Sequence, residues 1–206
     1  MTGTLTARRQ ALAEVEAEAA RCRRCPLWRN ATQTVFGAGD LPAKIMFVGE
    51  QPGDQEDRQG APFVGPAGGL LDRALEEAGL DRKTVYVTNA VKHFKFEPSS
   101  RGGGKKRIHK KPSVGEIDIC RWWLEKELGL VRPALAVALG VSALRGLMGK
   151  SLTLGPNRAR VLTSPEGVKV FPTIHPSSVL RQRSDDDRAR AFREFVADLK
   201  KVRGLV

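Results

Sequence analysis

Very little in this 206-residue chain points outward from the cell or into a membrane. Its three cysteines are an odd number and too few for a disulfide framework. The longest apolar stretches, such as residues 134–139, fall far short of the roughly 20 residues a membrane helix requires. Arg8, Arg9, Glu14, Glu16 and Glu18 interrupt the first twenty residues, so no apolar signal core stands there. A cytoplasmic protein without a membrane partner is expected. Acid is also scarce, with 23 Asp and Glu against 35 Lys and Arg, a formal charge of +12. A surplus of this size favours a polyanion, nucleic acid before membrane, through counterion release at phosphates. Generic solubility charge is the plain alternative, and distribution decides between them. Residues 101–111, R-G-G-G-K-K-R-I-H-K-K, hold six basic residues and a histidine with no acid among them.

A hydrophobic fraction of 41% is ample for one core, and no internal repeat is visible, so a single domain over 1–206 is expected. Leu5, Leu12, Val15 and Ala19 predict a helix over 5–21. Apolar runs at 44–48, 84–91 and 134–139 read as buried strands. Further helices are expected over 67–78, closed by Gly79, over 141–148 and over 185–202. Ser113 opens another, running to 128, with Glu116 in capping-box register. Residues 158–163 and 168–174 read as a strand pair, while 49–66 and 92–112 read as loops. This alternation predicts an α/β fold, a three-layer α/β/α sandwich around a central parallel sheet of about four strands. Ligands in such sheets sit at the carboxyl ends of the strands. The loops opening at Gly49, Asn89 and Ile174 are therefore the ones to read.

The first is G-E-Q-P-G-D-Q-E-D, from Gly49, continued by P-F-V-G-P-A-G from Pro62. It places the Glu50 carboxylate at a strand end, and Phe63 can pack or can stack on a base, a contact worth about 1–3 kcal/mol. T-N-A-V-K-H-F-K-F follows the second strand. Asn89 there is a turn former or an amide whose donor and acceptor suit the O4 and N3–H edge of uracil. T-I-H-P-S-S-V-L-R follows the last strand and presents His175 ahead of Pro176. A P-loop is excluded, because Leu144 stands where Gly149-Lys150-Ser151 would need the first glycine.

In order, G-E-x-P-G, P-F-V-G-x-A-G-x-L-L-D, T-N-A-V-K and H-P-S-S-x-L-R resemble the uracil-DNA glycosylase superfamily along nearly the whole chain, nearest its iron–sulfur branches. The resemblance implies uracil-containing DNA as partner and free uracil as product, from a monomeric enzyme. It puts Gly49, Gln51, Phe63 and Asn89 at the uracil, with Phe63 stacking and Asn89 reading the Watson–Crick edge. Glu50 corresponds to the carboxylate that positions water, and His175 to the histidine that supports charge on uracil O2. Ser177, Ser178 and Arg181 match the loop entering the duplex beside the flipped nucleotide. Flipping costs a few kcal/mol, so single strands are expected to be favoured.

These branches hold a [4Fe–4S] cluster on four cysteines. Cys22, Cys25 and Cys120 match three of them, and His93 stands where V-K-C becomes V-K-H, making it the implied fourth ligand. A Cys3His zinc site is the alternative, and a chance C-x-x-C beside a buried Cys120 is the plain one.

In the basic insert at 101–111, Lys105, Lys106, Arg107 and Lys110 are expected to track DNA phosphates. The segment K-K-R-I-H resembles the K-R-R-I-H signature of the superfamily's X-type branch, with Lys106 in place of Arg. That branch's histidine bonds covalently to the deoxyribose once uracil has left. The resemblance implies His109 as that nucleophile, a single-turnover adduct at C1′, Arg107 fixing the loop, and Glu50 orienting His109 or stabilising the cationic sugar. Neighbouring cations disfavour protonation of His109, which a nucleophile requires.

Overall fold

The computed structural model describes residues 4–99 and 106–206. In chain order the elements begin with α1 (Leu5–Ala19), β1 (Ile45–Gly49), α2 (Asp54–Gln59), α3 (Pro66–Ala78) and β2 (Val85–Asn89). A hairpin of β3 (Phe96–Pro98) and β4 (Arg107–His109) precedes α4 (Val114–Val131), β5 (Leu135–Leu139) and α5 (Val141–Met148). The chain closes with α6 (Leu154–Asn157), β6 (Leu162–Thr163), β7 (Lys169–Thr173), α7 (Pro176–Leu180) and α8 (Asp185–Arg203).

The main sheet runs β2–β1–β5–β7–β6, parallel except for the β6–β7 pair. The four expected parallel strands thus gain a short antiparallel edge. The period-two alternation of a strand divides the sheet into two cores. Ile45, Phe47, Val87, Val137 and Phe171 share one cluster with Leu71 and Leu75 of α3 and Phe195 and Leu199 of α8. Met46, Val48, Tyr86, Ala136 and Val170 face the other way, onto Ala19 of α1, Leu124 of α4 and Leu144 of α5. Each central strand is buried on both faces, hence its uninterrupted apolar reading. Gly79 ends α3 in the left-handed conformation at φ 71°, and Ser113 and Glu116 close the capping box of α4.

Three stretches differ from expectation. Residues 49–66 contain α2, too short to show a period; Asp54, Glu56 and Asp57 stabilise its first turn and Gly60 stops it at φ 73°. Residues 92–112 contain the β3–β4 hairpin. The strand expected over 158–163 shrinks to two residues, because Gly155-Pro156-Asn157 lies in α6 and Ala159 takes a φ of 57°. Among the described residues no helix is long and apolar enough to cross a membrane.

Candidate active site

The β1–β2 register sets Gly49 beside Asn89 at the carboxyl edge of the sheet. A Cβ on Gly49 would lie 2.3 Å from Asn89 Oδ1 and 2.7 Å from Phe63 Cζ, so both side chains lean over a gap only glycine leaves. Phe63 has a φ of 57°, a strained conformation for a non-glycine residue. Gly68 permits it, since a Cβ there would fall 1.9 Å from the Phe63 carbonyl oxygen. The Phe63 ring lies 6.3 Å from that of His175, at 27°. Asn89 is buried, yet among the described residues its side-chain amide makes no protein hydrogen bond, and neither amide atom is sealed from solvent. A donor and an acceptor therefore face the space beside Phe63.

His175 caps the N-terminus of α7. Its Nδ1 accepts the Ser177 main-chain N–H at 3.1 Å and stands 2.8 Å from the Ser177 hydroxyl, which leaves the proton of the neutral ring on Nε2. Burial, then the positive Arg181 and the nearby His109, push its pKa down to about 4. A neutral ring with a fixed Nε2–H is a donor for developing negative charge. The hydroxyls of Ser177 and Ser178, expected at DNA, are both turned onto His175, Ser178 donating to its carbonyl at 2.7 Å. Arg181 is exposed, donates to Ser177 Oγ at 2.9 Å, and acts electrostatically on both histidines, which places it at the rim.

Glu50 leaves the end of β1. One of its oxygens accepts from Ser142 at 2.5 Å, and the other lies 3.6 Å from His109 Nε2. His109 arrives on the hairpin, paired with Phe96. Gln51 holds that hairpin: its amide nitrogen donates to the carbonyls of Lys95 and Lys110 at 3.2 and 2.9 Å, and its oxygen accepts from Lys95 N–H at 3.1 Å. The same nitrogen lies 2.9 Å from His109 Nε2. Two amide protons thus face three acceptors, and the imidazole can be released without breaking the hairpin contacts. Gln51, expected at uracil, has its side chain engaged with the hairpin instead. Burial, and secondarily Arg181, push the His109 pKa down against the opposing pull of Glu50. The sequence reading assigned that effect to neighbouring cations; burial is the larger cause.

The expected phosphate contacts divide. Lys106 is exposed, Lys110 is paired with Glu97 at 2.7 Å, and Lys105 lies outside the described residues. Arg107 turns inward: it forms ion pairs with Asp54 and Asp57 and lies over the rings of Phe94 and Phe96 at 5.3 and 4.9 Å. Those carboxylates take the guanidinium edges a phosphate would need, so Arg107 fixes the hairpin to α2.

Cys25 and Cys120 are buried and Cys22 packs against the same cluster. Burial pushes Cys25 up and Cys120 to about 12 as thiols, with Cys22 adding to both and Cys25 to Cys120. Two sulfurs already accept hydrogen bonds, Cys22 from Trp123 Nε1 at 3.1 Å and Cys120 from Lys92 N–H at 3.2 Å. Such donors favour thiolate once a metal is bound. His93 is buried with Nε2 at 2.9 Å from Thr34 Oγ1, whose proton goes to the Ala19 carbonyl at 2.9 Å. Nε2 is then the donor, and Nδ1 is left with a free lone pair. Among the described residues no three His, Cys, Asp or Glu side chains stand grouped at metal-holding distances. By chemical type, three thiols and one unprotonated imidazole nitrogen are nonetheless donors suited to iron or zinc.

Sequence reasoning missed Ser142, which holds Glu50, and the acids that hold Arg107. Ser142 follows β5, whose carboxyl end was not among the three loops singled out, because V-S-A-L there carries no distinctive residue pattern.

The family model for the uracil DNA glycosylase superfamily matches residues 36–200. A type-4 uracil-DNA glycosylase of Thermotoga maritima is 36% identical over 200 residues, 96% of each chain. One from Sulfurisphaera tokodaii is 34% identical over 202 residues, 94% of this chain and 84% of that one. A type-5 uracil-DNA glycosylase of Thermus thermophilus is 30% identical over 222 residues, 89% of this chain and 94% of that one.

Proposed function

Since the chain belongs to the uracil-DNA glycosylase superfamily, we propose that it excises uracil from DNA and captures the exposed sugar on His109. The observation that carries the second half is the placement of His109 Nε2 3.6 Å from the Glu50 carboxylate. Uracil enters between Phe63 and Asn89, whose free amide takes its O4 and N3–H edge. As the bond from C1′ to N1 breaks, its electron pair leaves with the base, and the His175 Nε2–H donates to O2. C1′ becomes cationic beside Glu50, which Ser142 holds in place. The His109 lone pair then closes on C1′, giving an imidazolium that loses its remaining N–H proton to water. Free uracil leaves, and the protein stays on the strand after one event. Placing the nucleophile beforehand gives it an advantage over water, since positioning alone is worth several kcal/mol, about 7–11 in the best intramolecular cases.

The same reading makes the chain a single-domain, monomeric, cytoplasmic enzyme that favours single strands, with Arg181, Lys106 and Lys105 at phosphates. Cys22, Cys25, Cys120 and His93 would hold a [4Fe–4S] cluster, or zinc in the alternative, with a structural role that ties the N-terminal segment to the central loop. An absorbance spectrum separates the two, since only the cluster gives a broad visible band.

The rival reading is a multiple-turnover glycosylase in which Glu50 directs water; the type-4 relatives over nearly the whole chain favour it. Incubation with a uracil-containing single strand, followed by a denaturing gel, separates the readings. A shifted band is expected from the protein and none from His109→Ser. Alkali-sensitive abasic product without a shift would establish turnover, and neither outcome would leave a DNA binder.

A further inference from the structure

Beneath the pocket floor lies an ion pair that this chemistry leaves unused. Lys92 and Glu127 are both 0% exposed at their side chains and joined directly. Glu127 also accepts from the Gly37 main-chain N–H at 3.0 Å, from the Tyr86 hydroxyl at 3.1 Å and from the Thr88 hydroxyl at 2.9 and 3.0 Å. Besides Glu127, the Lys92 ammonium donates to Thr88 Oγ1 at 2.6 Å and to the main-chain carbonyl of Asn89 at 2.8 Å. All three ammonium protons are therefore used, and one holds the residue whose amide faces the pocket.

A buried pair is a weak source of net stability, because desolvating two charges offsets most of their attraction. It does fix direction. Asn89 needs that, for its side chain makes no protein hydrogen bond among the described residues and Gly49 beside it offers no lateral wall. The aim of its amide is then set by its main chain. The ladder between β1 and β2 ends at this residue, so its carbonyl is held from below by Lys92.

We propose that the Lys92–Glu127 pair is the positioning device of the base-reading amide, acting on uracil only through Asn89. The inference rests on the reading of this pocket as a uracil site. Lys92 is a positioning residue, not a catalytic one, and a change at Lys92 should be felt only where the Asn89 amide is present to be misaimed.

The test is a double-mutant cycle on single-turnover release of uracil from a uracil-containing single strand. Lys92→Met alone leaves Glu127 buried and unpaired, so Lys92→Met/Glu127→Gln, which leaves no lone charge, carries the comparison if the single variant does not fold. We expect that pair to slow release by about tenfold and to weaken inhibition by free uracil about equally, with affinity for a uracil-free strand unchanged. In an Asn89→Ala background the same replacement should change release by less than about twofold. Equal slowing in both backgrounds would show a general structural role and overturn the inference. Unchanged release by the Lys92→Met/Glu127→Gln variant, with Asn89→Ala slow, would overturn it while leaving the uracil site intact. Release at the parent rate by Asn89→Ala would remove the uracil-site reading, and the inference with it.

Discussion

The two histidines of the pocket are held in opposite ways. His175 sits at the end of a central strand and caps a helix, with one ring nitrogen fixed by a main-chain N–H and a serine hydroxyl. His109 stands on a two-stranded hairpin, its side chain 50% exposed, held by a Gln51 amide that has two other acceptors. Burial lowers both pKa values, yet only His175 has a ring nitrogen fixed by a main-chain N–H. A group that must donate to a developing oxyanion benefits from rigidity, because no reorganisation is then needed as charge appears. A group that must close on a carbon needs a lone pair that can be released. The superfamily's strand-end pocket thus provides the first histidine, and the basic insert delivers the second to the Glu50 carboxylate.

The largest effect should come from taking away the hairpin histidine. His109→Ser is expected to abolish the denaturation-resistant adduct while uracil release continues, now by water. Removing the fixed one should act on rate: His175→Ala is expected to slow uracil release by about 10²- to 10³-fold, as loss of one oxyanion donor does, with the adduct still forming at long times. Adduct yield that collapses while release stays fast would reverse the roles assigned to the two rings. Smaller still is the effect of loosening the hairpin. Gln51→Leu should cut the ratio of capture to hydrolysis by about tenfold, since an ångström of misplacement can cost up to 10²-fold.

Acid should have the least effect until well below the ordinary histidine range. Both imidazole pKa values are lowered, so the neutral forms persist as pH falls through 6.5, and capture should stay level there. Stability moves the other way. The unfolded chain takes up these protons near pH 6.5 and the folded chain resists, so the melting temperature should decline progressively as pH falls from 6.5 toward about 4, the folded pKa of His175. A capture rate that halves at pH 6.5 would mean that His109 titrates like a free imidazole.

Most of the sheet was legible because β1, β2 and β5 are local apolar runs ended by glycine or asparagine. The pocket was legible for a related reason: Gly49, Asn89 and His175 follow strand ends directly, and parallel register brings strand ends together. What sequence could not show is which side chains meet across long separations. Six basic residues in the insert look alike, yet Arg107 is drawn inward by Asp54 and Asp57, about half a hundred residues earlier. The resemblance put Gln51 at the base, while in the folded chain its side chain holds the hairpin. Ser142 gave no signal, since a serine in the first turn of a helix is ordinary until a carboxylate is found against it. Lys92 and Glu127 lie 35 residues apart, and neither carries a sequence signal of the buried pair they form.

The central claim is that a bond forms between His109 and the sugar. The most direct measurement is peptide mass spectrometry after reaction with a short uracil-containing single strand, nuclease trimming and proteolysis. The peptide bearing His109 is expected to gain the mass of a base-free deoxyribose nucleotide, with fragmentation placing it on that imidazole. An unmodified His109 peptide beside abasic DNA would contradict it.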